Sequence, residues 1–252
     1  MNIPVKPIIE VRNLDLSYDD YIVMRNLNFT VNKGQAFIIM GGSGCGKSTL
    51  LKVLIGLKEP EKGQVLYNGE DFWAAGDSRQ QEMMKGFGVL YQSGALWSSL
   101  TVGENIALPL QLYSSLTASQ IRDLVELKLS LVSLDGCADL YPAELSGGMR
   151  KRAALARALA LDPEIIFFDE PSAGLDPISA RMLDDLIIQL RDDLGSTIVV
   201  VTHELASIFA VGDNAIFLDE QSKTMIATGN PKDLLVNSGD PKVIQFLTRG
   251  KR

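Results

Sequence analysis

Nine residues, Gly41-Gly42-Ser43-Gly44-Cys45-Gly46-Lys47-Ser48-Thr49, fit the spacing G-x-x-x-x-G-K-S/T. The apolar run Ala36-Phe37-Ile38-Ile39-Met40 precedes them, and Leu50-Leu51-Lys52-Val53-Leu54-Ile55 follows, stopped by Gly56. This order predicts a buried strand, a tight loop and a helix that starts at the loop. Glycines let successive backbone N–H groups converge on one centre, and the helix start adds the positive end of its dipole. The Lys47 ammonium is then placed to reach β- and γ-phosphates, and the Ser48 hydroxyl to ligate Mg²⁺. A glycine-rich strand-to-helix turn with no ligand is the bland alternative; strand, spacing, lysine and Ser-Thr together disfavour it. The chain is expected to bind a nucleoside triphosphate.

A carboxylate partner is expected downstream. Ile165-Ile166-Phe167-Phe168 is unbroken in its apolar character, as a parallel strand covered on both faces would be, and it ends in Asp169-Glu170-Pro171. In nucleotide-hydrolysing proteins with this loop, an acidic residue at such a strand end holds Mg²⁺ opposite the loop serine. Asp169 is expected in that role. Glu170, pointing to the other face of the chain, is expected to polarise the attacking water. In isolation the pair could equally cap a helix; beside a phosphate loop the catalytic reading takes precedence.

Between the two lies Leu145-Ser146-Gly147-Gly148-Met149-Arg150-Lys151-Arg152, followed by the alanine- and leucine-rich residues 153–160. The composition predicts a strong helix with Ser146-Gly147-Gly148 at its start, an anion site of backbone amides plus a hydroxyl. Here the chain resembles the ATP-binding cassette family, whose signature is Leu-Ser-Gly-Gly. Tyr18 occupies the place of the aromatic that stacks on adenine. Gln92, after Phe87-Gly88-Val89-Leu90-Tyr91, stands where the family keeps its Mg²⁺- and water-sensing glutamine. Ala173-Gly174-Leu175-Asp176-Pro177 resembles the loop that crosses the dimer. His203, the single histidine, follows Thr197-Ile198-Val199-Val200-Val201-Thr202 at the place of the switch histidine.

The resemblance spans residues 1–230 and implies an α/β fold, that of a P-loop NTPase: a mainly parallel core sheet, an antiparallel β subdomain and a helical subdomain inserted at about 93–160. All would lie in one domain, 1–252, with a helical tail over about 231–252. ATP and Mg²⁺ are the implied cofactors. Glu170, His203 and Gln92 would be catalytic, and Ser48, Gln92 and Asp169 would hold the metal. Tyr18, the loop residues 41–49, Ser146-Gly147-Gly148 and Asp176 would contact nucleotide. Two copies are implied to meet head to tail, each ATP gripped by the loop of one and the Ser146 helix of the other.

Other parts of the chain bound the alternatives. A formal charge of −7 over 252 residues argues against a nucleic-acid-binding protein. The two cysteines, Cys45 and Cys137, are far apart and lack metal-ligand partners, which fits a reducing cytosol. Cys45 could sense redox state or simply fill space in the loop. Met1-Asn2-Ile3-Pro4-Val5-Lys6-Pro7 lacks an apolar core of signal-peptide length, and no apolar stretch approaches the ~20 residues of a membrane helix. A soluble subunit is expected, attached to a membrane only through partners.

Strand patterns fill residues 8–40, starting with Ile8-Ile9-Glu10-Val11 and including Leu27-Asn28-Phe29-Thr30-Val31. Val65-Leu66-Tyr67 before Asn68-Gly69 predicts a hairpin. Thr117-Ala118-Ser119-Gln120 reads as a capping box, with Ile121, Leu124, Val125, Leu129 and Val132 at helical spacing and Asp135-Gly136 as the stop. A helix over 180–194, strands over 197–202 and 215–218, and short helices from Pro231 complete the reading. Arg249-Gly250-Lys251-Arg252 reads as a solvated end.

Within the family, 99 positions separate Lys47 from Ser146 without a heptad run, unlike repair and chromosome ATPases. One cassette rather than two points away from translation factors, and a subunit separate from its membrane domain is expected. Met149 stands where most members have glutamine. With Arg150-Lys151-Arg152, residues 173–177 and residues 239–247, it resembles the ATPases of MCE-type lipid transporters. That resemblance implies a permease, a periplasmic MCE ring, often a small STAS-domain subunit, and a place on the cytoplasmic face of the bacterial inner membrane. The basic run could instead be a charged helix face. An importer ATPase for amino acids or metal chelates, or a regulatory ATPase without a permease, are the competing functions.

Overall fold

The computed structural model describes residues 7–249, so the expectations for Met1 to Lys6 and for the last three residues of the basic end lie outside it. The described chain builds two sheets. A four-stranded antiparallel sheet, in the order β2-β1-β4-β5, contains β1 (Pro7–Tyr18), β2 (Tyr21–Asn32), β4 (Lys62–Tyr67) and β5 (Glu70–Asp71). A six-stranded sheet runs β10-β9-β3-β8-β7-β6. Its members are β3 (Ala36–Gly41), β6 (Phe87–Leu90), β7 (Ile165–Asp169), β8 (Thr197–Val201), β9 (Asn214–Asp219) and β10 (Thr224–Gly229). All its neighbours pair parallel except β10, which joins the edge antiparallel to β9.

The unbroken apolar runs have a simple cause: both faces of the larger sheet are covered. Side chains alternate across the pleat. Phe37, Ile39, Phe167, Val199, Val201 and Ile216 face the antiparallel sheet and α1 (Lys47–Leu54). Ile38, Met40, Ile166, Phe168, Ile198 and Val200 face a helical layer. That layer contains α3 (Val102–Tyr113), α4 (Ala118–Leu131), α5 (Gly147–Ala158), α6 (Pro177–Leu194) and α7 (Leu205–Val211). The short helices α8 (Pro231–Asn237) and α9 (Pro241–Leu247) follow β10, and α2 (Asp77–Lys85) has no fully buried residue, touching the core through Met83.

Local chemistry explains where elements start and stop. Thr117 and Gln120 form the expected capping box, but α4 ends at Leu131 rather than at Asp135-Gly136. Ser133 adopts φ 54° and the Leu134 N–H donates back to Leu129 O at 2.9 Å, which closes the helix one turn early. Helix α6 begins three residues before the expected Ala180, because Asp176 caps the N–H groups of Ile178 and Ser179 and Pro177 takes the first helical position. The Asn68-Gly69 hairpin forms with both residues at positive φ.

One buried polar group joins the helical layer to the loop after β7. Asp184 on α6 is 3% exposed. One carboxylate oxygen accepts from Ser207 Oγ on α7 at 2.9 Å, and Ser207 Oγ lies 3.3 Å from Ser172 Oγ. The other oxygen has no partner. Burial raises this carboxyl to about 6, so the folded chain keeps a proton that the unfolded chain releases. Its contribution to stability is therefore fully present below about pH 4, declines as pH rises toward 6, and stays lost above that. Asp184→Asn is expected to be more stable than the parent at about pH 7.5, by up to ~3 kcal/mol, and to lack the decline between about pH 4 and 6. Urea unfolding at three pH values checks this, and a variant less stable than its parent at neutral pH contradicts it.

Candidate active site

The parallel strands deliver their C-terminal ends to one edge of the sheet. Gly41 ends β3 with φ 151°, and a Cβ there would sit 2.4 Å from Leu218 O and 2.7 Å from Cys45 Sγ. Gly46 caps α1 with φ 88°, where a Cβ would meet Val23 Cγ1 at 2.7 Å. Only glycine fits either position. Between them the chain curls around Lys47, which is buried and whose Nζ donates to Gly41 O at 3.0 Å and Gly42 O at 2.8 Å. Gly42, Ser43, Gly44 and Ser48 are exposed around this curl, while Thr49 is half-buried. Cys45 is buried beneath the loop, and burial raises its thiol, the opposite of what a reactive thiolate needs.

Two strands away, β7 ends at Asp169. Burial, reinforced by the neighbouring Glu170, raises the Asp169 carboxyl above its ordinary value, while Lys52, Lys151 and Lys47 draw it down. Its Oδ1 is buried with no hydrogen-bond partner. A buried oxygen so placed is costly alone, and it is the donor type that a hard cation takes. Among the described residues no group of three His, Cys, Asp or Glu side chains is arranged to hold a metal ion, so protein ligands to a cation here would be few.

Glu170 follows with φ 47°, in the left-handed region, and its N–H donates to Val201 O at 2.8 Å. This turn swings its side chain to β8. Thr202 Oγ1 donates to Glu170 Oε2 at 3.2 Å, and His203 Nδ1 lies 2.8 Å from Oε1. An ionised carboxylate only accepts, so Nδ1 carries the proton of that contact. Glu170, Thr202 and His203 thus form one hydrogen-bonded unit beside Asp169. Gln92 is exposed just past β6, whose Leu90 is level with Phe168 of β7, which puts it at the same sheet edge. Tyr18, exposed at the end of β1, has Lys58 Nζ 4.6 Å from its ring centroid.

The remaining expected residues form a separate group. Ser146 caps α5, accepting from Met149 N–H at 3.2 Å, and is exposed together with Gly147. Cβ atoms on Gly147 and Gly148 would approach Leu175 Cδ2 and Ser179 Oγ, so this helix start packs against the start of α6 and Asp176. Among the described residues no hydrogen bond joins Ser146-Gly147-Gly148 to residues 41–49 of the same chain. Three contributors were missed in the sequence. Thr202 holds Glu170, Lys151 reaches the Glu170 carbonyl at 3.3 Å, and Arg157 donates to Gly94 O and Ala95 O at 3.1 and 2.6 Å. A lysine inside a basic run gives no signal of facing inward.

Residues 24–173 match the profile described as ABC transporter. The chain belongs to the ABC transporter family. Its relatives include the intermembrane phospholipid transport system ATP-binding protein MlaF of Haemophilus influenzae, 43% identical over 95% of this chain and 90% of that protein. A probable ribonucleotide transport ATP-binding protein of Mycobacterium tuberculosis is 40% identical over 99% of this chain and 68% of its own length. Among solved structures, a dimeric post-hydrolysis ATP-binding cassette bound to ADP and Pi superposes with a TM-score of 0.80 at 28% identity, covering 88% of this chain and 98% of that one. The chain is an ATP-binding ABC ATPase, with the α/β fold of these cassettes. No helix among the described residues is long and apolar enough to cross a membrane.

The tight fit at Gly41 gives a test of the loop. Gly41→Ala forces a clash with a backbone carbonyl, and relieving it must displace the loop that holds Lys47. ATP affinity is expected to fall at least ~10-fold, corresponding to about 1.4 kcal/mol, with circular dichroism unchanged. Parental affinity in an ATP titration contradicts the loop assignment.

Proposed function

We propose that this chain is the ATP-hydrolysing subunit of a phospholipid transporter, and that it works as a head-to-tail pair under a membrane permease. The likeness that carries the cargo reading is the 43% identity to a phospholipid transport ATPase over nearly the whole chain. The site supports the chemistry. Lys47 and the loop amides bind the β- and γ-phosphates, and Tyr18 stacks on adenine. Ser48, Gln92 and Asp169 are the residues that would hold Mg²⁺, and the unpartnered buried Asp169 Oδ1 fits that use. Mg²⁺, when bound, offsets the phosphate charge and draws the phosphates into a fixed orientation.

Glu170 orients the attacking water and accepts its proton. Thr202 and His203 fix both of its oxygens, so the carboxylate is aimed before ATP arrives. With Nδ1 donating to Glu170, His203 Nε2 donates to a γ-phosphate only when the ring carries both protons. The exposed start of α5 supports the pairing: Ser146 and Gly147 are open to solvent, and no hydrogen bond among the described residues ties Ser146-Gly147-Gly148 to their own loop, which leaves this helix start for a partner copy's γ-phosphate. Asp176, at the capped start of α6, stands next to that surface and would line the nucleotide contact between copies. Hydrolysis removes the group that both copies grip, and the pair opens. A periplasmic MCE ring and a STAS-domain subunit complete the assembly we propose, in which this chain sits at the cytoplasmic face of the inner membrane.

Ribonucleotide transport is the second reading, favoured by the mycobacterial relative's name. The complex purified from native membranes through a tag on this chain separates the two. Co-purifying integral permease and phospholipid are expected; a complex whose ATP turnover responds to ribonucleotides and holds no lipid contradicts the phospholipid assignment. In the same complex Glu170→Gln is expected to keep ATP bound while turnover falls ~10²–10⁴-fold, since Gln is nearly isosteric but cannot act as the base. Parental turnover removes Glu170 from the reaction.

A further inference from the structure

The basic run after the signature is not a solvated helix face. Arg150 Nη1 donates to Leu145 O at 2.7 Å, and Arg152 Nη1 donates to Val132 O and Ser133 O at 2.9 and 2.8 Å. Lys151 is 7% exposed, an unusual place for an ammonium, and its Nζ donates to the backbone carbonyl of Glu170 at 3.3 Å. Further along the same helix Arg157 fastens the segment after Gln92 through Gly94 O and Ala95 O. Helix α5 therefore carries the exposed Ser146 end on one side and, on the other, direct bonds to the segments that bear Glu170 and Gln92.

Glu170 needs such restraint. A non-glycine residue at φ 47° sits in a sparsely populated region and persists only where its surroundings hold it. Its N–H is held by Val201 O on β8, and its C=O accepts from Ala173 N–H at 3.1 Å within the following turn and from Lys151 on α5. Of these anchors only Lys151 is a side chain reaching in from the helical layer; Ala173 belongs to the same turn as Glu170. Burial lowers the Lys151 ammonium from its ordinary value, and the Asp169 and Glu170 carboxylates oppose that effect.

We propose that Lys151 is a positioning residue for Glu170, acting within its own chain. It ties the carboxylate of one ATP site to the helix whose start grips the ATP of the other site, so a shift of α5 when one site closes is felt at the water-orienting group of the second. This rests on the Glu170 assignment and the head-to-tail pairing proposed above.

Mixed dimers of full-length chains carrying two different affinity tags test it. In the first, Lys151→Met in one chain is paired with Glu170→Gln in the other, so the only active Glu170 has lost its own Lys151. In the second, both substitutions lie on one chain, so the active Glu170 keeps its Lys151 and only its partner's helix is altered. A dimer of parent and Glu170→Gln is the reference. Turnover in the first is expected to fall about 10-fold, with the ATP KM held within about 2-fold, because a misplaced catalytic group costs rate rather than binding. The second is expected to match the reference, and Lys151→Arg in the first arrangement to restore most of the rate. Equal loss in both arrangements overturns the proposal, since it means damage to α5 itself or action through the partner, and so does no loss in either. A Glu170→Gln homodimer that hydrolyses ATP at the parental rate would show instead that the underlying Glu170 assignment has failed.

Discussion

Parallel pairing of β3 with β8 and of β8 with β7 is the constraint on which the rest depends. Ile39 is level with Val201, and Val201 is level with Asp169, so three strand ends reach one edge in step. The register cannot slip. A one-residue shift of any strand would swap its two faces, exchanging Phe167 and Val199 with Phe168 and Val200 between two different cores. The apolar interior therefore sets the spacing of polar groups that contribute nothing to it. Lys47, Asp169, Glu170 and His203 are adjacent because phenylalanines, valines and isoleucines beneath them allow one alignment.

On that frame the site is prearranged in some parts and incomplete in others. Glu170 has partners on both oxygens and on both of its flanking peptide groups, and Lys47 is wrapped by its own loop carbonyls. The Asp169 Oδ1 atom has no such partner, and Ser146 and Gly147 at the start of α5 are exposed. Satisfied groups hold geometry and unsatisfied ones accept ligands, a division that suits an enzyme in which a second copy completes each site. The inward cations of α5 connect the two kinds of group through one helix.

Much of this was legible in the chain because the informative residues sit on short local patterns. The glycine-lysine loop, the run into Asp169-Glu170 and the Ser146 cap each combine a motif with a strand or helix signal in adjacent residues, and the structure builds those elements there. Other features depend on distant partners. Strand β1 extends seven residues past the recognised Ile8-Ile9-Glu10-Val11, because irregularities around Asn13, at φ 47°, break its alternation. Helix α2 has no fully buried residue and only Met83 packed against the core, so it has little apolar period to detect. Thr202, Lys151 and Asp184 have ordinary neighbours in sequence; only the folded chain brings them to Glu170 and Ser207.

The central claim is that neither copy owns a whole site. Lys47→Ala breaks a phosphate loop and Ser146→Arg blocks a signature helix, so a homodimer of either variant has no intact composite site. A mixed dimer has one, built from the loop of the Ser146→Arg chain and the helix of the Lys47→Ala chain. Occluded ATP counted per dimer, with single-turnover hydrolysis, reads this directly. The account predicts that mixing two inactive proteins restores one ATP per mixed dimer and its hydrolysis. A mixed dimer as inactive as either parent variant would contradict it.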